Sequence, residues 1–215
     1  PNKNNLSMDN PNKLYFSVIC AAALMNLLKR QRDAVGLSLF SDKVNLHTNE
    51  KTSNMHHQYL LHELHKLLNQ APQMKNSRLI DALHQIAENI HRRSLVILFS
   101  DMFDNSENRD KLFSALKHLK FNKHEVVLFH VMDKSKELEL DYENRPYKFI
   151  DMETGEALKL LPNEVKKNYQ EQSKYFLNSL KLKCIEYKID FIESDINIGF
   201  DHILLSYLRK RAKLH

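Results

Sequence analysis

A group of oxygen-bearing side chains follows the most apolar stretch of the chain. The segment SLVILFSD (94–101) ends in Asp101, and Asp104 and Ser106 come a few residues later. Such oxygen ligands suit Mg²⁺ or Mn²⁺, which take one or two carboxylates together with hydroxyl groups and water. Asp101 is therefore a candidate metal ligand, with helix capping as the competing interpretation, and we expect Asp104 or Ser106 to cap the next helix.

Ser77 is the second candidate oxygen ligand. It precedes RLIDAL at the start of a predicted helix, where a serine side chain commonly caps the first turn, so its position taken alone favours capping. The pair Asp101 and Asp104 could in principle support acid–base chemistry. No general base or nucleophile can be identified beside them from the spacing of residues.

The histidines invite a zinc interpretation that their spacing does not favour. In HELH, His62 and His65 are three residues apart, whereas HExxH needs four, and no third ligand is evident. With His56 and His57 they are expected to form the polar face of one helix. His130, inside the apolar EVVLFHVMD segment (125–133), is predicted to be a hydrogen-bonded core residue rather than a base.

The composition bounds the class of protein. The 215 residues, 42% of them hydrophobic, fit one domain with a single sizeable core. Only three glycines occur, so GxGxxG, Walker A and GxSxG motifs are excluded. No apolar run is long enough to span a membrane, and the start lacks a signal-peptide pattern. Cys20 and Cys184 lie in separate apolar stretches, which favours two buried thiols in a reducing, cytoplasmic compartment.

The formal net charge of +5 comes mainly from a basic stretch near the C-terminus. It includes lysines at 181, 183 and 188 and the RKR segment at 209–211. The favoured interpretation is the solvated face of two helices, because no aromatic-interleaved RNA-binding motif accompanies it. Nucleic-acid binding through the C-terminal helix is the alternative.

Hydrophobic periodicity predicts helices alternating with strands. The unbroken apolar runs at 94–101 and 125–133 indicate strands buried on both faces, and their alternation with helices predicts a covered parallel sheet. Residues 134–162 interrupt this rhythm with a small hairpin that turns at ETGE (153–156). Helices are predicted from Lys13 to about Arg32 and over about 55–70, 79–90, 106–120, 163–187 and 199–213, and further strands over 34–41, 44–48 and 188–193.

Five segments, taken together, are specific enough to indicate a family. They are KLYFSVICAAALMNLLKRQRDAVGLSLFSD (13–42), SLVILFSDMFD (94–104), FHVMD (129–133), FIDMETGE (149–156) and YLRKR (207–211). Together they resemble the bacterial domain-of-unknown-function 58 family, whose conserved region is similar to a von Willebrand factor A domain. The resemblance implies one α/β domain over 1–215, with a doubly wound, mostly parallel sheet of Rossmann-type three-layer architecture. It also implies an antiparallel edge strand and an insertion at about 134–162.

The same resemblance implies a metal-ion-dependent adhesion site at the top of the sheet. In A domains this site combines a DxSxS loop after the first strand, a hydroxyl residue before the third helix and an Asp after the fourth strand. In this sequence the Asp corresponds to Asp101, and the hydroxyl residue corresponds to Ser77, where A domains usually have Thr. The implied cofactor is Mg²⁺ or Mn²⁺.

The DxSxS loop and the apolar strand before it are missing from the sequence. We therefore expect a fragment, N-terminally incomplete, that starts in the loop just before the first helix. Because the missing strand is central in A domains, we expect a gap between the strands at 34–41 and 94–101. Either the sheet is compromised or another segment or molecule fills the gap.

The resemblance implies a non-catalytic interaction module. In the intact protein, a divalent ion held by Asp101 and Ser77 would bind an acidic side chain of a protein partner. Families of this kind accompany MoxR-type AAA+ ATPases, which suggests such a partner and a role in assembly or maturation. The alternatives are a metal-dependent hydrolase using Asp101 and Asp104, and the nucleic-acid binding described above.

Overall fold

Helices and strands alternate along the part of the chain that the structure describes. The computed structural model describes residues 12–41, 43–69, 79–91, 93–102, 109–121, 123–142, 147–150, 157–160 and 162–212. The helices are α1 (Lys13–Arg30), α2 (Asn54–Asn69), α3 (Leu79–Asn89), α4 (Arg109–Phe121), α5 (Pro162–Glu186) and α6 (Phe200–Ala212). The strands are β1 (Ser38–Phe40), β2 (Val44–His47), β3 (Leu95–Ser100), β4 (Glu125–Met132), β5 (Tyr147–Ile150), β6 (Ala157–Leu160) and β7 (Asp190–Asp195), and one π-helical turn (Lys134–Leu138) follows β4.

A parallel sheet of three strands, in the order β3-β4-β7, forms the centre of the molecule. Its register places Ser100 beside His130 and His130 beside Glu193. The carboxyl ends of the strands therefore meet at one edge, which we call the carboxyl edge. Among the described strands the order follows the chain, so the reversal of strand order that often marks a binding crevice is not seen there.

The central strand β4 is buried along almost its whole length. Seven of its eight residues are buried, and Glu125 is the exposed one. Successive side chains point to opposite faces of the sheet. Val126 and Leu128 pack in one cluster with α3, α4 and α5, whereas Val127 and Phe129 pack in another with α1 and α6. The expectation of a parallel sheet covered by helices on both sides is confirmed.

The strand β3 is less buried than its apolar sequence predicts. Of its six residues Leu98 is buried and the others are half-buried. Within the described residues β3 pairs with β4 on one side, and its other side faces open space. Both faces of β3 do pack in the core, since Leu98 belongs to the cluster with α3, α4 and α5, and Phe99 packs against the cluster with α1 and α6. The prediction of a strand packed on both faces therefore holds for β4 and β3, but the side chains of β3 are less fully buried. Apolar sequence does not reveal whether a strand has a neighbour along both edges.

A large groove separates β3 from the antiparallel pair β1 and β2. The pair forms a sheet of its own in the described part of the chain, whereas we expected an antiparallel strand at the edge of one continuous sheet. The groove has a volume of about 1030 Å³ and is lined by residues of α1, β1, α3 and β3. It lies where the sequence analysis expects a gap between the strands at 34–41 and 94–101. With this space between them, β1 and β3 do not pair.

Three local expectations are confirmed: a helix that begins at Lys13, a hairpin within 134–162 and two buried thiols. Asn12 caps α1, since its Oδ1 accepts a hydrogen bond from the Tyr15 backbone N–H at 2.7 Å. The hairpin predicted within 134–162 is formed by β5 and β6, and its ETGE turn lies outside the described residues. Cys20 and Cys184 are fully buried, and burial raises the pKa of each thiol to about 12. None of the described helices is both long and apolar enough to cross a bilayer.

Phe129 provides a test of the importance of β4. Its ring is fully buried, stacks on Phe99 with centroids 4.7 Å apart, and meets Tyr207 edge-on at 5.4 Å. Phe129→Ala should lower the free energy of unfolding by about 3–5 kcal/mol, the usual cost of truncating a core aromatic residue. The control Phe121→Ala removes a ring that is 81% exposed, and it should change stability by less than about 0.5 kcal/mol. Urea unfolding followed by circular dichroism measures both, and equal losses would contradict this assignment of the core.

Candidate functional site

Asp101 stands directly after β3, at the carboxyl edge. The next residue, Met102, has a φ of +51°, in the left-handed region that non-glycine residues seldom adopt, and its side chain is fully buried. The Met102 backbone N–H donates to Ser100 Oγ at 3.0 Å. This turn anchors the chain on both sides of Asp101, while the Asp101 side chain stays 38% exposed at the rim.

Lys13 places its ammonium group between two carboxylates at this edge. Its Nζ lies 2.8 Å from Asp101 Oδ2 and 2.8 Å from Glu137 Oε1. Lys13 is the first residue of α1, and Glu137 belongs to the π-helical turn after β4. Elements far apart in sequence thus converge on one cation. We call these three residues the lysine bridge.

Burial and charge act against each other in the lysine bridge. Burial alone would lower the pKa of Lys13, but Asp101 and Glu137 outweigh it and raise that pKa above its ordinary value. The pKa of Glu137 is also raised, because its burial outweighs the effect of Lys13. An exposed ion pair would instead lower the carboxyl pKa. About a third of the Lys13 and Asp101 side chains is exposed, so solvent screens the pair and its net contribution to stability is small.

Sequence reasoning found Asp101 but missed Lys13 and Glu137. Lys13 and Asp101 are 88 positions apart, and no spacing rule joins residues at that separation. Ser77, Asp104 and Ser106, the other oxygen ligands and caps considered from the sequence, lie outside the described residues. Among the described residues, no group of three or more His, Cys, Asp or Glu side chains is arranged to hold a metal ion.

The two neighbouring strands also end in aspartates, and both are engaged in local structure. Asn197 Nδ2 donates to Asp133 Oδ1 at 3.0 Å and to Asp195 Oδ1 at 2.9 Å. Asp133 also caps the π-helical turn, accepting from Ser135 Oγ and the Lys136 backbone N–H. Burial raises the pKa of Asp133, but these hydrogen bonds outweigh it, so the pKa lies below its usual value. The FHVMD segment already ended in Asp133, and the alignment of strand ends could have pointed to it.

The histidines fit their predicted roles only in part. His62 and His65 are exposed on α2, as expected of a polar helix face, but His57 is buried, with Nε2 3.1 Å from Asn26 Oδ1. His130 is buried, with 6% of its surface exposed, but its Nδ1 has no hydrogen-bond partner among the described residues. The expectation of a hydrogen-bonded core histidine is therefore wrong at this nitrogen. Burial lowers the pKa of His130 to about 4, so its ring is neutral at pH 7.

The basic stretch near the C-terminus is partly neutralised by carboxylates. Arg211 donates through both terminal nitrogens to Glu125, at 2.6 and 3.2 Å. Lys181 lies 2.6 Å from Glu193, and a third basic residue, Lys183, pairs with the glutamate three positions later. These pairs support the interpretation of solvated helix faces, because they reduce the positive charge available to a polyanion.

One comparison with known proteins gives a match. A family model described as "Protein of unknown function DUF58" matches residues 4–175. The matched range contains Lys13, Asp101 and Glu137 and ends within α5. No curated protein and no solved structure matches the chain.

The lowered pKa of His130 predicts a pH-dependent stability. Between pH 6.5 and about 4 the unfolded chain takes up a proton at this ring while the folded chain does not. The stability contributed by the neutral ring is therefore complete above pH 6.5 and is lost as the pH falls towards 4. At about 1.4 kcal/mol per pH unit, the loss is about 3 kcal/mol.

Urea unfolding of the wild type and of His130→Leu at several pH values between 4 and 7.5 measures this effect. The variant should lose about 3 kcal/mol less than the wild type over the interval. His62→Leu, at an exposed position of α2, is the matched control and should follow the wild type. The same slope for all three chains would show that His130 does not titrate as stated.

Proposed function

The chain belongs to the DUF58 family of proteins of unknown function, and on that basis we propose that it is a non-catalytic protein-interaction module of the von Willebrand factor A type. In this proposal the intact protein binds its partner through a divalent cation at the carboxyl edge, with Asp101 as a ligand. The observation that carries the proposal is the convergence of Asp101 and Glu137 on one cationic group, the Lys13 ammonium.

The proposal includes one more strand, placed between β1 and β3. In the family resemblance this is the first strand, which leads into the DxSxS loop and completes a doubly wound sheet. Two observations support it: within the described residues β3 pairs on one side only, and the 1030 Å³ groove borders its other side. A strand in that position would pair with the open backbone of β3 and cover its half-buried side chains.

The side chains around Lys13 have suitable chemistry for Mg²⁺ or Mn²⁺. Both ions take carboxylate oxygens, and Asp101 and Glu137 provide two carboxylates within reach of a single cation. In the proposal Ser77 and the DxSxS loop add hydroxyl and carboxylate oxygens. When bound, the ion would offer a coordination position to an acidic side chain of the partner.

Lys13 acts in this proposal as a resident counter-ion. Its ammonium sets one positive charge against the two carboxylates of Asp101 and Glu137 and keeps both turned towards the same point. Its side chain is long and 35% exposed, so it can move into solvent when the carboxylates take another cation. The carboxyl edge then has two states, one closed by lysine and one open to a divalent ion.

We propose a cytoplasmic protein as the partner, with a MoxR-type AAA+ ATPase as the candidate that the family resemblance suggests. The role would be assembly or maturation of other proteins. Neutralisation of Lys181, Lys183 and Arg211 by carboxylates supports a protein partner over a nucleic acid.

Calorimetric titration with Mn²⁺ tests the role of the lysine bridge. Lys13→Met removes the competing cation and should strengthen Mn²⁺ binding about tenfold, equivalent to about 1.4 kcal/mol. Asp101→Ala in the same background should abolish the gain. Lys117→Met, which alters an exposed lysine of α4, should leave the affinity unchanged.

A second titration tests the proposed additional strand. A chain extended upstream by roughly 40 residues, enough for a strand and its loop, should bind Mn²⁺ more tightly than the present chain. The physical reason is that the added loop supplies further oxygen ligands. If neither form binds Mn²⁺, with Lys13 or with Met at that position, the metal-dependent part of the proposal is wrong.

A further inference from the structure

We propose that a small cavity beside the lysine bridge is a binding site for a small organic carboxylate. The cavity has a volume of about 140 Å³ and lies between β4, the π-helical turn, α4 and α5. Its wall includes Arg109 of α4, His130 of β4, Glu137 of the turn, and Tyr169, Phe176 and Leu177 of α5. The site shares Glu137 with the metal site proposed above, but its ligand would be held by Arg109 and His130 and needs no metal ion.

Arg109 brings a positive charge to this cavity. Among the described residues, that charge has no counter-ion. Its Nε is buried without a hydrogen-bond partner there. The guanidinium group is held near two aromatic rings, 5.3 Å from the centroid of Phe176 and 6.0 Å from that of Tyr175. A guanidinium group forms its strongest hydrogen bonds with a carboxylate, and leaving such a charge unpaired in a partly buried position is unfavourable.

His130 contributes a second unpartnered nitrogen from a different element. The residue is only 6% exposed, and its Nδ1 makes no hydrogen bond in the described part of the structure. The neutral ring can carry its hydrogen on Nδ1 and donate it. Buried polar atoms without partners are rare in proteins and call for an explanation. A carboxylate with one oxygen towards Arg109 and one towards His130 would bring an acceptor to both of these residues, which line the cavity together.

The remaining wall limits the ligand's charge and size. Glu137 also borders the cavity, and the pairing of its Oε1 with Lys13 at 2.8 Å offsets part of its negative charge. Phe176 and the buried Leu177 form an apolar side suited to a short hydrocarbon chain. A cavity of about 150 Å³ holds a benzene-sized molecule, so the ligand has about six non-hydrogen atoms. Butyrate has this size and chemistry.

Titration of the full chain with butyrate at pH 7, followed by saturation-transfer NMR, tests the proposal. Butyrate should bind, whereas butylamine, which has a similar size and the opposite charge, should not. Arg109→Met should weaken butyrate binding at least about tenfold, since it removes a charge-assisted pair, and Arg109→Lys should restore part of it. Arg30→Met, at an exposed position of α1, is the matched control and should have no effect.

Further binding measurements identify the source of the carboxylate and distinguish this site from the metal site. A short peptide with one glutamate that binds more tightly than butyrate would point to a partner's side chain, and the reverse result to a free acid. Binding should persist in EDTA and in Asp101→Ala.

If Arg109→Met fails to fold, a second variant replaces it. Leu177→Trp fills the cavity and should abolish binding in a folded chain. Equal binding of butyrate and butylamine, no binding of either, or unchanged butyrate binding in folded Arg109→Met or Leu177→Trp would overturn the proposal.

Discussion

The strand β4 lies at the centre of the parallel sheet, between β3 and β7, with helices over both faces. Each buried apolar side chain of this strand contributes about 1.5–3 kcal/mol relative to an exposed one, so the other elements are positioned by packing against it. Its backbone register also aligns the carboxyl ends of its neighbours. Asp101, Asp133 and Asp195 are brought to one edge for this reason, although no short motif contains all three.

The carboxyl edge has two parts that differ in how their charges are held. Asp133 and Asp195 share the side-chain amide of Asn197, in hydrogen bonds of 3.0 and 2.9 Å that tie together the segments at the ends of β4 and β7. Asp101 and Glu137 are held instead by the flexible side chain of Lys13. In the proposal above, the carboxylates held by Lys13 would exchange this cation for a divalent ion while the hydrogen-bonded half of the edge stays fixed.

Sequence patterns predicted the elements more accurately than their surroundings. The helix from Lys13, the hairpin at 147–160 and the apolar strands all follow from local periodicity, which depends on residues close together in the chain. The half-buried state of β3 and the lysine bridge depend on residues far apart. Asp101 could be predicted because it directly follows a strand, whereas its pairing with Lys13 depends on where α1 lies against the sheet. The unpartnered nitrogen of His130 likewise depends on packing that sequence does not display.

The pairing of β4 with β7 has a consequence for how the chain reaches its native state. Residues 133–189 lie between the two strands, so a long loop that includes the hairpin and α5 must close before they pair. Parallel pairing over such a distance slows folding, because the entropy of loop closure is lost before the contacts form. During that delay one edge of β4, the most buried of the three strands, remains available to other unfolded chains. Aggregation of folding intermediates should therefore compete with refolding as protein concentration rises.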